Sequence, residues 1–317
     1  MAIALKIGSR PSALALAQTA IVRDLLVKAI PQLAVEVISI RTTGDRLTSG
    51  SLANVGGKGL FIKELEQALE RREIDLAVHS MKDLPATLAP QFRIAAVPAR
   101  EDPRDALLSR TGATIEALED RASVGTSSVR RRLFALRHNP KLNVVPLRGN
   151  IDTRLKRVEE GALDAIIIAM AGLKRLGRTS ALRVSEIDVA DFIPAGGQGA
   201  LCVEARAEGR AGGSAEVEHA LTTITDARAR YEVSAERAFL ATIGASCVTP
   251  VGVHGVVRDA AFSLRAILFS ADGTREIADA VEDVTDADLA ASAATGVGVR
   301  LGERMLAHGA GALVGDG

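Results

Sequence analysis

The chain is poor in cysteine and in aromatic side chains. Its 317 residues include two cysteines, no tryptophan and one tyrosine. Cys202 and Cys247 stand far apart in sequence. They match no metal-ligand spacing and no disulfide framework, so a reduced, cytoplasmic setting is expected. An excess of one charge is also missing. Lysine plus arginine and aspartate plus glutamate both number 39. That balance speaks against bulk nucleic-acid binding but leaves room for a local cationic cleft. Long apolar runs are absent too. The longest, Ala165 to Leu173, lies between Asp164 and Lys174 and is about half of what a membrane span needs. The opening MAIALKIGSR has too short an apolar stretch for a signal-peptide core, and no small-residue cleavage site follows. Neither targeting nor a membrane role is expected.

With 47% hydrophobic and 25% charged residues, the composition is that of an ordinary globular protein, and the length suggests two or three domains. Short apolar strands alternate with helical patterns through the first two-thirds. Strands are expected at Ala4–Ile7, Val35–Ile40, Leu76–Val78 and Ile94–Val97, with helices from Pro11 to about Lys28 and over Leu60–Arg72. The pattern restarts with strands at Ser123–Gly125, Asn143–Leu147 and Ala165–Ala169, separated by helices over Ser128–His138 and Asn150–Glu160. Such alternation predicts α/β domains with largely parallel sheets and helices on both faces. A charged linker, Arg100 to Asp105, and a glycine-rich one, Pro194 to Gly199, bracket the middle segment. Two crossings at nearby points predict two α/β domains on a double hinge, with a cleft between them. The expected domains are 1–99 plus 200–225, 104–194 and 228–317. The last has a different rhythm of helix, three strands and a long helix, which suggests a small α+β domain.

The chemistry gathers where strands end. The apolar run Ile74 to Val78 leads into His79, Ser80, Met81, Lys82 and Asp83 before Pro85 stops it. In an open α/β sheet this is how a strand delivers polar groups to the crevice at its carboxyl end, and Asp83 is the candidate for proton chemistry. Other junctions carry anion-binding groups: Arg10 and Ser12; Thr126, Ser128, Arg130 and Arg131; Arg148, Gly149, Asn150 and Arg154; Lys174 and Arg175. Helix N-termini favour anions, and arginine presents a planar fork to carboxylates. Taken singly these residues read as caps and solvated faces. Arginines at several junctions on one side of their sheets predict a cleft for a ligand with many negative charges. Asn54 to Gly59 looks like a phosphate loop, but Leu60 stands where a hydroxyl residue should be. A lid with Lys58 reaching into the cleft fits better. Gly296-Val297-Gly298 has the wrong spacing for a dinucleotide fingerprint and lies in a helical pattern, so packing explains it. Cys247, in a glycine-bearing loop, could be a nucleophile or the anchor of a prosthetic group.

Together these segments resemble the porphobilinogen deaminase (hydroxymethylbilane synthase) family. The resemblance rests on Ser9 to Ser12, Val55 to Phe61, His79 to Asp83, Arg100 to Asp105, Gly125 to Ser128, Leu147 to Asn150, Gly172 to Gly177, Gly197 to Gly199 and Cys247. It implies two domains like type II periplasmic binding proteins plus a third, and a covalent dipyrromethane cofactor on a thioether to Cys247. It implies that four porphobilinogen molecules are deaminated and condensed onto that primer, and that water then releases hydroxymethylbilane. Asp83 becomes the cation stabiliser, and Lys82 helps keep it ionised. Carboxylates fall to Arg10, Ser12, Lys58, Ser80, Lys82, Thr126, Ser128, Arg130, Arg131, Arg148, Gly149, Asn150, Arg154, Arg175 and Gln198. Gly56, Gly57, Gly59 and Phe61 belong to the lid. His79 is left as structural. A monomer is implied, with no nucleic-acid or membrane partner. The chain departs from the family where Asn54 replaces a frequent lysine and where Ala245-Ser246 precedes the cysteine. The competing reading is a non-enzymatic anion-binding or sensing protein of the periplasmic type, which gives no reason for Cys247 or for the third domain.

Overall fold

The computed structural model describes residues 3–46, 62–177, 182–246, 248–285 and 289–314. The chain opens with β1 (Ile3–Ser9), α1 (Ala13–Ala29), β2 (Leu33–Ser39), α2 (Thr43–Arg46), α3 (Lys63–Glu70), β3 (Leu76–Ser80) and β4 (Phe92–Ala96). A crossing leads to β5 (Asp105–Ser109), β6 (Ser123–Gly125), α4 (Val129–His138), β7 (Asn143–Val145), α5 (Ile151–Glu159), β8 (Ala165–Ala169), α6 (Met170–Leu176) and β9 (Arg183–Glu186). A second crossing returns the chain to β10 (Leu201–Arg206) and α7 (Ala215–Thr223). The last part is α8 (Ala227–Thr242), β11 (Val251–Arg258), β12 (Ala261–Phe269), β13 (Glu276–Val284), α9 (Ala291–Ala307) and α10 (Ala310–Val314).

The strands form two five-stranded sheets, ordered β2-β1-β3-β10-β4 and β7-β6-β8-β5-β9, and one three-stranded sheet, β11-β12-β13. The hinged α/β pair with a small α+β addition is therefore present. The expectation of largely parallel sheets holds for four strands of each five-stranded sheet, while one strand in each runs the other way. β10 runs antiparallel to both β3 and β4, and β5 runs antiparallel to both β8 and β9. The reason lies in the hinge. Each crossing delivers its strand at the carboxyl edge of the receiving sheet, where Leu201 pairs with Ser80 and Asp105 with Ala169. A strand entering there can only run back. β5 was hidden in sequence because its first residues belong to the charged Arg100–Asp105 segment. β9 was hidden because Arg183-Val184-Ser185-Glu186 is polar and mostly exposed at an edge.

The two crossings lie side by side. Glu101 N donates to Gly199 O at 3.1 Å. Gly199 has φ 87°, and a Cβ there would overlap the Glu101 carbonyl, so glycine is required on both counts. The third domain is locked to this hinge by Glu236 of α8. This fully buried carboxylate accepts from Arg100 Nη1 at 2.8 Å, Gly197 N at 2.6 Å and Gly255 N at 2.8 Å. Its core is closed by Tyr231 edge-on to Phe262, with centroids 5.0 Å apart. α8 and α9 cross so tightly that a side chain at Gly298 would strike the Ala235 carbonyl, so packing is the meaning of that glycine, while a side chain at Gly296 would meet only the Arg300 side chain at an ordinary contact distance.

Candidate functional site

β3 is buried from Leu76 to His79 and emerges at Ser80, whose hydroxyl accepts from Gln18 Nε2 at 2.8 Å. A single 3-10 turn, Met81–Asp83, follows and is closed by Leu84 N donating to Met81 O at 3.1 Å. The turn leaves Asp83 exposed and Lys82 half-buried. Asp83 borders a small pocket of about 50 Å³ together with Arg10, Ser12, Gln18 and Ser80. Those last four residues also line a cleft of about 740 Å³, which adds Lys82, Ser127, Arg131, Arg148, Gly149, Asn150, Arg154 and Arg175. The two spaces thus adjoin, with the first sheet on one side and the second on the other. His79 is buried and paired with Glu204 at 2.8 Å, so a structural role fits it.

The cations around this cleft differ in how they are satisfied. Arg10 is held by Asp45, with Nε 3.1 Å from Oδ1. Burial alone would raise the Asp45 pKa, but Arg10 and Thr42 lower it further than burial raises it. Arg131 donates from Nε and Nη2 to Asp105 Oδ1 at 2.9 and 2.7 Å. Asp105 is fully buried, and Arg130 and Arg131 outweigh that burial and bring its pKa down to about 2. By contrast, among the described residues Arg154 Nε donates only to the Gly149 carbonyl, at 2.9 Å, and Arg175 Nη2 to the Gly199 carbonyl, at 2.6 Å. Burial lowers the pKa of both; Arg131 adds to the effect at Arg154, while Glu101 opposes it at Arg175. Arg148 is exposed and forms no ion pair with a described residue. Burial and then Arg131 push Lys82 down to about 8, against the pull of Asp83 and Asp105. A guanidinium set half-buried against neutral carbonyls favours an anionic visitor.

Four of the expected carboxylate binders face elsewhere. Arg130 is buried; it donates to the Ile193 carbonyl at 2.7 Å and to Asp105 at 2.6 Å, and its guanidinium lies 5.5 Å from the Phe192 ring centroid. The i to i+1 turn of a helix splits neighbouring arginines onto different faces, so only Arg131 reaches the cleft. Thr126 is buried, and its hydroxyl accepts from Ser128 N at 3.2 Å. Ser128 caps α4, accepting from Arg131 N at 3.4 Å. Ser127, between them, lines the cleft instead. Gln198 is 1% exposed and sits in the hinge. Lys58, Asn54, Gly56, Gly57, Gly59, Phe61 and Cys247 lie outside the described residues. Cys202 is fully buried, and burial first, then Glu204, pushes its thiol pKa up, which makes it inert. Gln18, Asp45 and Asp105 were not anticipated. None of the three left a local sign: Asp105 reads in sequence as the end of the charged Arg100–Asp105 linker.

Comparison with known proteins now becomes decisive. Residues 5–212 match the family described as porphobilinogen deaminase, dipyromethane cofactor binding domain, and residues 230–307 match porphobilinogen deaminase, C-terminal domain. The chain belongs to the porphobilinogen deaminase family. Porphobilinogen deaminase of Sorangium cellulosum is 46% identical over 272 residues, covering 86% of this chain and 88% of its own. That of Thiobacillus denitrificans is 42% identical over 311 residues, covering 98% and 97%. Family membership disfavours a protein that merely binds or senses anions. The cofactor of the family is a dipyrromethane, whose two pyrroles carry an acetate and a propionate each. The cleft suits such a group: Arg148, Arg154 and Arg175 line it without a carboxylate partner among the described residues, next to Arg131 and Lys82. Among the described residues no helix is long and apolar enough to cross a membrane.

Proposed function

We propose that this chain deaminates porphobilinogen and joins four such units head to tail, then releases the product as hydroxymethylbilane by hydrolysis. The bound dipyrromethane supplies the free pyrrole carbon at which the growing chain is extended. The observation that carries the reading is the convergence of Lys82, Arg131, Arg148, Arg154 and Arg175 on one cleft that adjoins the pocket of Asp83. The thioether anchor is Cys247. The chain works as a cytoplasmic monomer, with domains at 1–99 plus 200–225, 104–194 and 228–317.

Asp83 has the most demanding task. When the C–N bond of porphobilinogen breaks, ammonia leaves and the pyrrole carries a delocalised cation. The Asp83 carboxylate, set against the pyrrole N–H, stabilises that cation electrostatically. After the new C–C bond forms, the proton displaced from the ring carbon passes to a carboxylate oxygen of Asp83 and on to solvent. Lys82 places a positive charge on the same turn as Asp83. Arg131, Arg148, Arg154 and Arg175, with Ser12 and Asn150, orient the acetate and propionate groups. Lys58 and the glycines at 56, 57 and 59, with Phe61, close over the site.

The test is Asp83→Asn. The variant is expected to fold and to keep the cofactor, seen as added intact mass and a colour reaction with Ehrlich's reagent. Its turnover should fall about 10²- to 10⁴-fold. Near-normal turnover would remove Asp83 from this role, and an unmodified, fully active wild-type protein would overturn the covalent anchor.

A further inference from the structure

Gln198 has more partners across the cleft than any one contact would suggest. Its Oε1 accepts from Lys82 Nζ at 3.2 Å and from Arg131 Nη2 at 3.3 Å. Its Nε2 donates to Pro103 O at 2.8 Å and to Asp105 Oδ1 at 3.0 Å. Chemistry alone sets this orientation. Lysine and arginine only donate, while a carbonyl and an ionised carboxylate only accept, so a flipped amide would lose all four bonds. Lys82 lies on the turn that carries Asp83, after β3 of the first sheet. Asp105 opens β5 of the second sheet, and Arg131 belongs to α4, which packs on it. Gln198 itself lies in the second crossing, its main-chain carbonyl held by Arg100 Nε at 2.9 Å.

The same crossing is pressed against the turn along its backbone. Met81 N donates to Ala200 O at 3.0 Å. Gly197, at φ 74°, would drive a Cβ into Met81 and the Lys82 backbone nitrogen. The turn is thus packed directly on the hinge, and among the described residues Gln198 is the one side chain bonded to both Lys82 and Arg131.

We infer that Gln198 is a positioning residue whose amide couples the Lys82–Asp83 turn to the Asp105–Arg131 pair, setting the spacing across the cleft and the protonation of Lys82. The inference rests on the deaminase reading for its consequence in turnover, but not for its effect on Lys82. The charged groups that act on Lys82 are Arg131, Asp83, Asp105 and Arg130. The Gln198 oxygen is a neutral acceptor that favours the ammonium form among them.

Two variants of opposite sign test this in the holoenzyme. Gln198→Met keeps the volume but removes the acceptor. The Lys82 titration, followed by NMR of its side chain, should then move to lower pH by about one unit. The alkaline limb of the turnover profile should move with it, and kcat should fall about tenfold as spacing across the cleft loosens. Gln198→Glu returns an acceptor with a negative charge, so the Lys82 titration and the alkaline limb should move to higher pH. A Lys82 titration that is the same in both variants overturns the coupling. So does a fall in kcat with an unmoved alkaline limb, the result that packing alone would give. Should Gln198→Met fail to fold, Gln198→Ala, which removes the acceptor without bringing a charge against Asp105, should show the same downward shift of Lys82, and an unmoved Lys82 titration there overturns the coupling. A wild-type chain that makes no hydroxymethylbilane would sink the deaminase reading, while the titration would still judge Gln198.

Discussion

The arginines buried beside the hinge and those lining the cleft differ in what the chain gives them. At the hinge, Arg100 meets Glu232 at 3.2 Å and Glu236 at 2.8 Å, and Arg130 meets Asp105 at 2.6 Å. All of these side chains are nearly or fully buried. In the cleft, Arg154 and Arg175 are bonded only to main-chain carbonyls among the described residues, and Arg148 to no described carboxylate. The residue type is the same; the counter-anion is not. Where the chain supplies a buried carboxylate, arginine fastens its own elements together: Arg100 ties the hinge to α8, and Arg130 ties α4 to β5. Where it supplies none, arginine is left for a ligand that brings its own. A formal charge of zero over the whole chain hides this local separation.

The sharpest way to break the comparison is to remove a hinge cation. Arg100→Ala strands Glu236, fully buried, with only two backbone N–H donors and the His254 ring 3.5 Å away. Breaking a buried pair by deleting one partner costs about 3–5 kcal/mol. Tm should fall steeply, and the third domain should loosen from the hinge, measurable by proteolysis within α8. A Tm within a degree or two of wild type would mean the hinge arginines matter no more for stability than exposed ones.

Acid gives a graded version of the same test. Burial would raise the Glu236 pKa, but Arg100 and His254 bring it from 4.5 down to about 2. A carboxylate whose pKa is lower in the folded state stabilises the fold above its unfolded value and loses that contribution as pH falls through the folded one. The expected loss therefore runs from roughly pH 4.5 down to 2, about 3 kcal/mol for Glu236 alone, and Asp105 adds to it over nearly the same range. Glu232, whose pKa burial raises, gains on protonation just above this window and blunts the start of the loss. A denaturant midpoint measured at steps of pH should stay nearly flat above the window and drop within it. A midpoint independent of pH down to 3 would remove the hinge carboxylates from the stability argument.

The strand-end chemistry was legible because it is local. An apolar run followed by Ser80, Lys82 and Asp83 announces both the strand and its carboxyl end, and the structure puts those residues there. Helix caps were equally visible: Ser12, Ser128 and Asn150 each accept from the backbone N–H three residues on. What stayed hidden was long-range. Nothing in Arg130-Arg131 says that both will pair with Asp105, 25 and 26 residues earlier, or that Arg131 alone of the two will line the cleft. Nothing local makes Arg100 to Asp105 look like the start of a buried strand, because its charges are neutralised by partners from α4, α8 and the second crossing. Gln198 entered the carboxylate-binding set through the family resemblance; its glycine-rich surroundings give no local sign of its four partners, which lie elsewhere in the chain.

The smallest expected effect sharpens the comparison from the cleft side. Arg154→Met and Arg175→Met each remove a guanidinium whose burial lowers its pKa, and each leaves no buried carboxylate unpaired. Stability should therefore change by less than about 1 kcal/mol, and Arg154→Met should tend upward, since Arg131 repels Arg154. Binding should suffer instead. A charged hydrogen bond to a carboxylate contributes about 1.5–3 kcal/mol, so KM for porphobilinogen should rise about 10- to 100-fold. The readouts that matter are KM and Tm measured on the same preparation. A Tm loss as large as that of Arg100→Ala, with KM unchanged, would place these two arginines with the hinge and erase the distinction between arginines the chain satisfies and those it leaves for its ligand.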